Sequence, residues 1–359
     1  MRQLDAATSI CRRLARREGV TGAFLAGSAS AGLATPTSDV DVYLVGPTLA
    51  PDRTQLDHDG VRLDVHCVAH GMVAEVATAA TATLPAVADH RPGPSEAELS
   101  LTTRLATMTV VEEDRVLNEL RASLAERRPL LRRQLVRHFL ARAESQHEDV
   151  RGFLDTGDLD SALLSATSAL TSAAKAVTVA CDDVYFGDKW VLAQLRRSAP
   201  HSFPHRLVVA LLTGAETVPD ERITRMRTLA STLTAASVVA DHWGLPLDHW
   251  PDWGWTARGL ARGRYADVRS FDDGLVVSGP DGGARRMSHR AALVWALCGG
   301  LTRPEVLARF AGLAELNDRL DDDEQRLGFV VDRLLDAGLV VDHSDRDAPG
   351  HHDRHHELP

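Results

Sequence analysis

Apolar positions recur along residues 4–18 at helical spacing: Leu4, Ile10, Cys11 and Leu14 share one face, and Gly19 follows as a stop signal. The period then changes. Residues 20–26 form an apolar run that ends in Gly27-Ser28, which predicts a buried strand. SDVDVYLVG (38–46) alternates strictly, with Asp39, Asp41 and Tyr43 on one side and Val40, Val42 and Leu44 on the other. VRLDVHCV (61–68) alternates in the same way, with Asp64 and His66 opposite Leu63, Val65 and Cys67. A helix, then strands carrying carboxylates on one face only, predicts a mixed α/β sheet with one face turned to chemistry.

From about Pro129 to Trp243 the alternation gives way to long helical runs rich in Ala, Leu and Arg, over 130–154, 161–180 and 221–243. Gly157, Gly187, Pro200 and Pro219 punctuate them. A Trp/Pro/Gly stretch (242–259) marks a boundary. Beyond it FDDGLVVSGPDGGARRMS (271–288) predicts a strand, a glycine-rich turn and a second short strand. HRAALVWALCGG predicts a helix closed by two glycines, and Thr302 to Glu305 has capping-box spacing with Pro304 in the first turn. A last helix is expected to face Phe329, Val330, Leu334 and Leu335 inward and to end at Gly338 before a terminal strand. The chain is therefore expected to be α+β. Its parts would be a mixed-sheet domain (1–118), an all-helical bundle (119–255), a C-terminal winged-helix domain (256–343) and a disordered His-rich tail (344–359).

Composition narrows the function classes. Lys plus Arg is 40 and Asp plus Glu is 50, a formal charge of −10, the wrong sign for a protein living on a nucleic-acid backbone. Cys11, Cys67, Cys181 and Cys298 have no ligand or pairing spacing, so reduced thiols in a cytoplasm are the simple expectation. No apolar run approaches the roughly 20 residues of a bilayer span, and Met1 opens a charged segment, so neither membrane nor signal peptide is expected. Arginine is used almost throughout; lysine stands only at Lys175 and Lys189, in one helical region where a compact ammonium is wanted. The HHDRHH sequence has metal-ligand residue types but no framework to fix a geometry. Glu144 reads as a surface residue before a further base, and His66 as structural before functional.

The chemistry concentrates in the first part. Carboxylates at i and i+2 of a strand point to the same face, roughly 7 Å apart along the backbone. With a third acid from a neighbouring strand they form an oxygen-only site suited to Mg²⁺. Two such ions can clamp the attacking and leaving oxygens of a phosphoryl displacement. The Gly-Ser turn leads into a small-residue segment, SASAGLA (28–34), whose amides can cradle a triphosphate.

LAGSASAGLATPTSDVDVYLV followed by RLDVHC resembles the DNA polymerase β-like nucleotidyltransferase superfamily, whose pattern is an apolar residue, Gly, Gly or Ser, a spacer of about ten, Asp-apolar-Asp and a later third acid. The resemblance implies that Gly27 and Ser28 meet the nucleotide's phosphates and that Asp39 and Asp41 hold two Mg²⁺ ions. It gives Asp64 one metal and a share in deprotonating the attacking hydroxyl. DDVYFGDKWVLAQLRR (182–197) is similar to a stretch in the helical domain of antibiotic and related small-substrate members, which would bring Lys189 to the phosphates and Tyr185 near the base. Residues 265–342 resemble a PqqD-like winged helix, the RiPP recognition element, on DGLVVSG, RRMSHRAALVWALCGGLTRPEVLARF and VDRLLDAGLV. Such modules bind the leader of a ribosomally made precursor peptide as an added strand. Together these imply transfer of a nucleoside monophosphate from an NTP, ATP being the expected one, to a hydroxyl or similar acceptor on a recruited precursor peptide. Two alternatives stay open: a small antibiotic as acceptor with a structural C-terminal module, or a regulatory winged helix carrying a vestigial sheet.

Overall fold

The first two strands are buried along nearly their whole length, so the sheet they start is covered on both faces. The computed structural model describes residues 2–58, 60–89, 92–214, 218–244, 247–250, 253, 258–263, 267–278, 283–315 and 324–344. In chain order the first elements are α1 (Arg2–Leu14), β1 (Gly22–Ala26), α2 (Gly27–Ser30), β2 (Val40–Gly46), β3 (Asp52–His58), β4 (Val61–Ala69), α3 (His70–Ala80), α4 (Glu96–Ala106), β5 (Thr109–Glu112) and α5 (Arg115–Glu126). Two long helices follow, α6 (Arg128–Thr156) and α7 (Leu159–Ala180), then α8 (Val191–Ser198). The chain divides into two compact units, Met1–Phe139 with Lys175–Ala199, and Leu140–Ala174 with Pro200–Pro359, so α6 and α7 each contribute to both.

The first unit holds a five-stranded sheet in the order β3-β4-β2-β1-β5. Only β2 and β4 run parallel, and the sheet is mixed as expected. One face carries Ala23, Leu25, Val40, Val42, Leu44, Leu63 and Val65 against Ala7, Ile10, Cys11 and Leu14 of α1. The other carries Phe24, Tyr43, Val45 and Val68 against Val73 and Ala77 of α3 and Leu117, Leu120 and Leu124 of α5. Each fully buried leucine or phenylalanine here contributes about 1.5–3 kcal/mol over its exposed state, so the two apolar faces hold the sheet between α1 and the α3–α5 layer. α5 starts at its N-cap Asp114, whose carboxylate accepts from the Val116 and Leu117 amides.

β3 and β5 went unread in the sequence. β3 is an edge strand whose residues are mostly exposed, so it lacks the apolar half of an alternating pattern.

In the second unit the elements are α9 (His205–Thr213), α10 (Pro219–Trp243), β6 (Leu260–Arg262), β7 (Asp267–Phe271), β8 (Gly274–Ser278), β9 (Ala284–Met287), α11 (His289–Leu297), β10 (Gly299–Leu301), α12 (Arg303–Ala314), α13 (Glu324–Asp336) and β11 (Val340–Asp342), with the first parts of α7 and the later part of α6. Two three-stranded antiparallel sheets form, β7-β8-β9 and β10-β6-β11. Arg262, at the centre of the latter, is fully buried; its guanidinium donates to the Ala296 carbonyl and lies about 6 Å from the ring centres of Trp250 (5.9 Å) and Trp295 (6.0 Å). The capping box at Thr302 and Glu305 is present, with Thr302 N donating to Glu305 at 2.7 Å.

Several expectations for this region change. The glycines after α11 do not merely stop it; Gly299 and Gly300 open strand β10. Phe329 is 64% exposed, and the buried stripe of α13 is Leu327, Val331 and Leu334. Glu144 is buried rather than on the surface, paired with Arg269 of β7. A buried carboxylate needs such a partner, since an uncompensated one costs several kcal/mol. The 22-residue α7 is long and apolar enough to cross a membrane by length and composition, contrary to the sequence reading, but 72% of its most apolar window is buried inside the protein. The turn at 279–282 and the tail beyond Ser344 lie outside the described residues. Over the described residues the chain is α+β.

Candidate active site

The sheet register sets chemistry in rows. Ala26 of β1 is paired with Asp41 of β2, Asp41 with Asp64 of β4, and Asp64 with Gln55 of β3. One step along, Phe24, Tyr43, His66 and Arg53 make the adjacent row. Side chains in the two rows share a face because their residues are two apart on each strand. The three rings form a column, Phe24 stacked on Tyr43 at 4.8 Å between centroids and Tyr43 on His66 at 4.6 Å. An acid row thus sits on an aromatic row, with the aliphatic core of α3 and α5 beyond it.

Gly27 closes the acid row. It follows β1 directly with φ +72°, a conformation that L side chains rarely adopt, and a methyl group there would overlap the Asp41 carboxylate. The glycine of the Gly-Ser pair is therefore required twice, by backbone conformation and by the close approach of Asp41. Ser28 follows as a buried residue of α2, its carbonyl accepting from the Leu33 and Ala34 amides at 2.8 and 3.0 Å, which folds the small-residue segment back on itself.

Asp41, Asp64 and His66 place one ligand atom each within 4.8 Å of one another. Asp39, the residue before β2, is exposed and stands outside that group. Asp64 is buried, which raises its carboxyl pKa, but hydrogen bonds from Arg53 (2.8 Å) and Gln55 and the charge of Arg53 outweigh burial and hold it below the ordinary carboxylate range. Tyr43 is pushed up to about 12, first by burial and further by the negative charges of Asp41 and Asp64, with Arg104 opposing. The Tyr43 phenol is thus neutral and the Asp64 carboxylate is ionised. Two carboxylates and an imidazole around one point, with a glycine making room for Asp41, fit a divalent cation.

The segment after α7 approaches the same acids. Burial raises the Tyr185 phenol pKa, and among the charges acting on it are Arg104, Asp41 and Asp39. Lys175 fixes this segment from beneath: its fully buried ammonium donates to the Tyr185 carbonyl, to Gln194 Oε1 at 2.5 Å and to the Gly187 carbonyl at 3.4 Å. Gln194 in turn donates to Asp183, whose carboxylate is clasped by Arg197 at 2.6 and 2.8 Å. Arg197 also donates to the Ala31 carbonyl at 2.6 Å, tying α8 to the turn after α2. Lys189 is exposed, its Nζ 5.4 Å from the centroid of the Trp190 ring. The rare lysines divide into one buried strut and one exposed cation beside an aromatic ring.

No family model matches the chain, and no curated protein does. Among solved structures, a nucleotidyltransferase-like protein from Exiguobacterium sibiricum 255-15 aligns with a TM-score of 0.38 and 16% identity, covering 66% of this chain and 76% of that one. Sequence reasoning took His66 as structural before functional and did not single out Arg53 or Arg104. The shared face of Asp64 and His66 was legible from their i, i+2 spacing, whereas strand pairing is what brings Arg53 to Asp64 and His66 to Asp41.

Proposed function

We propose that this chain is a metal-dependent nucleotidyltransferase that moves a nucleoside monophosphate from an NTP to a hydroxyl or similar acceptor. The observation that carries this reading is the pairing of Asp41 with Asp64 in adjacent parallel strands, beside a glycine whose missing side chain leaves room for the Asp41 carboxylate. Asp39, Asp41 and Asp64 would hold divalent metal, two Mg²⁺ ions in the sequence reading. Bound metal supplies charge neutralisation of the triphosphate and lowers the pKa of an oxygen it meets.

The chain's own residues do the rest. Asp64, kept ionised by Arg53, accepts the proton of the acceptor hydroxyl as its oxygen bonds to the α-phosphorus and pyrophosphate leaves. The amides from Gly27 and Ser28 onward orient the phosphates, Lys189 meets them with its ammonium, and Tyr185 packs near the base, with ATP the first nucleotide to test. Asp41→Asn and Asp39→Asn should each cut pyrophosphate release by about 100-fold or more with the fold intact, because charge stabilisation dominates phosphoryl-type transfer. A double Asn variant turning over like the parent chain would remove the assignment.

The acceptor we propose is a precursor peptide, docked on the second unit and held there at high effective concentration. Two features support it: among the described residues β9 is an edge of its sheet, where an added strand could pair, and α13 exposes Phe329 as an apolar anchor. Four cysteines scattered with no pairing spacing suit a reducing cytoplasm. Titrating the full chain with short peptides encoded beside its gene, and with duplex DNA, at two salt concentrations tests this. Peptide binding with little salt dependence is expected; DNA binding that falls steeply with salt, with no peptide affinity, overturns it. Binding of neither ligand makes a small hydroxylated molecule the acceptor.

A further inference from the structure

We infer that His66 is a direct nitrogen ligand of the cation held by Asp41 and Asp64, so that this position selects a first-row transition dication such as Mn²⁺ over Mg²⁺. The inference rests on the nucleotidyltransferase reading only for the use made of the metal, not for its binding.

The argument begins with geometry. His66 Nε2 lies 3.8 Å from Asp41 Oδ1, and one ligand atom from each of Asp41, Asp64 and His66 falls within 4.8 Å of the others. Ligands of one ion, each about 2.0–2.2 Å from it, sit about 3–4 Å apart, so an ion fits among these atoms with little movement. The imidazole is also preset. It stacks on Tyr43 at 4.6 Å and 12° between planes, and Tyr43 is itself stacked on Phe24 at 2°. A ring stacked in such a column is favoured in this orientation before any ion arrives.

Chemistry then decides the ion. Mg²⁺ is a hard cation that takes oxygen ligands in near-ideal octahedral geometry and keeps its waters. Imidazole suits transition dications, and carboxylates accept Mn²⁺ as readily as Mg²⁺. A donor set of two carboxylates and one imidazole therefore differs from the three-carboxylate set expected from the sequence. Asp39 is exposed and lies outside the tight cluster, so the histidine occupies the third place in it. Arg53, bonded to Asp64 Oδ2, balances the carboxylates without entering the donor set, since a guanidinium has no lone pair to give.

The test uses the full chain and Mn²⁺ alone as probe, read by pulsed electron paramagnetic resonance and by calorimetric titration of Mn²⁺ and Mg²⁺. Mn²⁺ should bind about tenfold or more tighter than Mg²⁺, and its echo should carry imidazole nitrogen modulation. His66→Phe preserves the ring stack while removing both nitrogens; it should abolish the modulation and reduce the Mn²⁺/Mg²⁺ affinity ratio about tenfold. Asp41→Asn should remove the same signal, which separates it from any Mn²⁺ on the HHDRHH histidines. Should His66→Phe fail to fold, His66→Gln and the parent-versus-Asp41→Asn difference carry the same comparison. Modulation that persists in the His66 variants, or is absent from the parent chain, overturns the inference. Nucleotide transfer with no histidine signal removes this inference and leaves the enzyme reading. A histidine-dependent Mn²⁺ site with no transfer from any NTP does the reverse.

Discussion

Replacing Lys175 with methionine keeps the length and apolar stem of the side chain and deletes only its ammonium. That group is fully buried, with the Tyr185 carbonyl and Gln194 Oε1 as close acceptors and the Gly187 carbonyl at 3.4 Å. A hydrogen bond from a charged donor contributes about 1.5–3 kcal/mol, so the two close bonds together represent roughly 3–6 kcal/mol. Against this stands the relief of no longer burying a cation, which recovers part of the loss. Asp183 also loses a favourable charge, since Lys175 is among the groups lowering its pKa. The net expectation is a destabilisation of about 3 kcal/mol, within the range for removing one member of a buried polar network. For a unit of this size that corresponds to a fall in melting temperature of about 6–12 °C. Thermal unfolding followed by calorimetry reads the shift, and hydrogen exchange at the amides of residues 183–190 shows whether the loss is centred there. Lys189→Met is the control: Lys189 is exposed, so its melting temperature should stay within about 2 °C of the parent. If Lys175→Met melts with the parent chain and leaves those amides as protected, the buried ammonium is not the strut described above.

Three further outcomes are expected. Gly27→Ala should destabilise the first unit by about 1–3 kcal/mol in denaturant titration and weaken divalent cation binding, because the left-handed backbone and the Asp41 carboxylate both exclude a methyl group. Asp183 is buried, which raises its pKa, but its bonds to Arg197 and Gln194 and the nearby Lys175 lower it further than burial lifts it. A depressed native pKa gives stability that is present above the unfolded value of about 3.9 and lost as pH falls through the native value; Asp183→Asn should therefore cost most stability near neutrality and nothing at the acid end of the curve. Lys189→Ala should raise the NTP concentration for half-saturation or slow turnover by about tenfold, equivalent to roughly 1.4 kcal/mol, with the melting temperature unchanged.

What could be read from the chain depended on whether a position was decided locally. The alternation around Asp39, Asp41 and Asp64 revealed their common face because β2 and β4 each bury the opposite one, Val40, Val42, Leu63 and Val65 being inside. β3 left no such mark, since an edge strand with exposed side chains on both faces has no apolar half. Arginine dominance made the two lysines conspicuous, yet their opposite fates, buried strut and exposed cation, follow from which turn of chain lies over each. Phe329 and Glu144 were misjudged for a related reason. A helix stripe can be drawn one residue out of phase, and the partner that allows a glutamate to be buried, Arg269, is distant in sequence. The alternation put His66 on the face of Asp64, but its neighbours Tyr43 and Asp41 come from another strand and needed strand pairing.

The same register that assembles the site also protects it. Because successive strand residues face opposite ways, slipping β4 by one residue against β2 would turn Asp64 and His66 toward α1 and bring Leu63 and Val65 round to the acid row. Two polar groups would then be buried against Ile10, Cys11 and Leu14, and two aliphatic side chains would leave that core. Each such exchange costs several kcal/mol, a large share of a domain's whole stability. The aliphatic residues of β4, which touch no ligand, are thus what holds Asp64 level with Asp41 and His66 level with Tyr43. It follows that a substitution such as Val65→Thr, made on the face away from the chemistry, acts on the site only through register. Gly27→Ala acts on it directly through the Asp41 carboxylate.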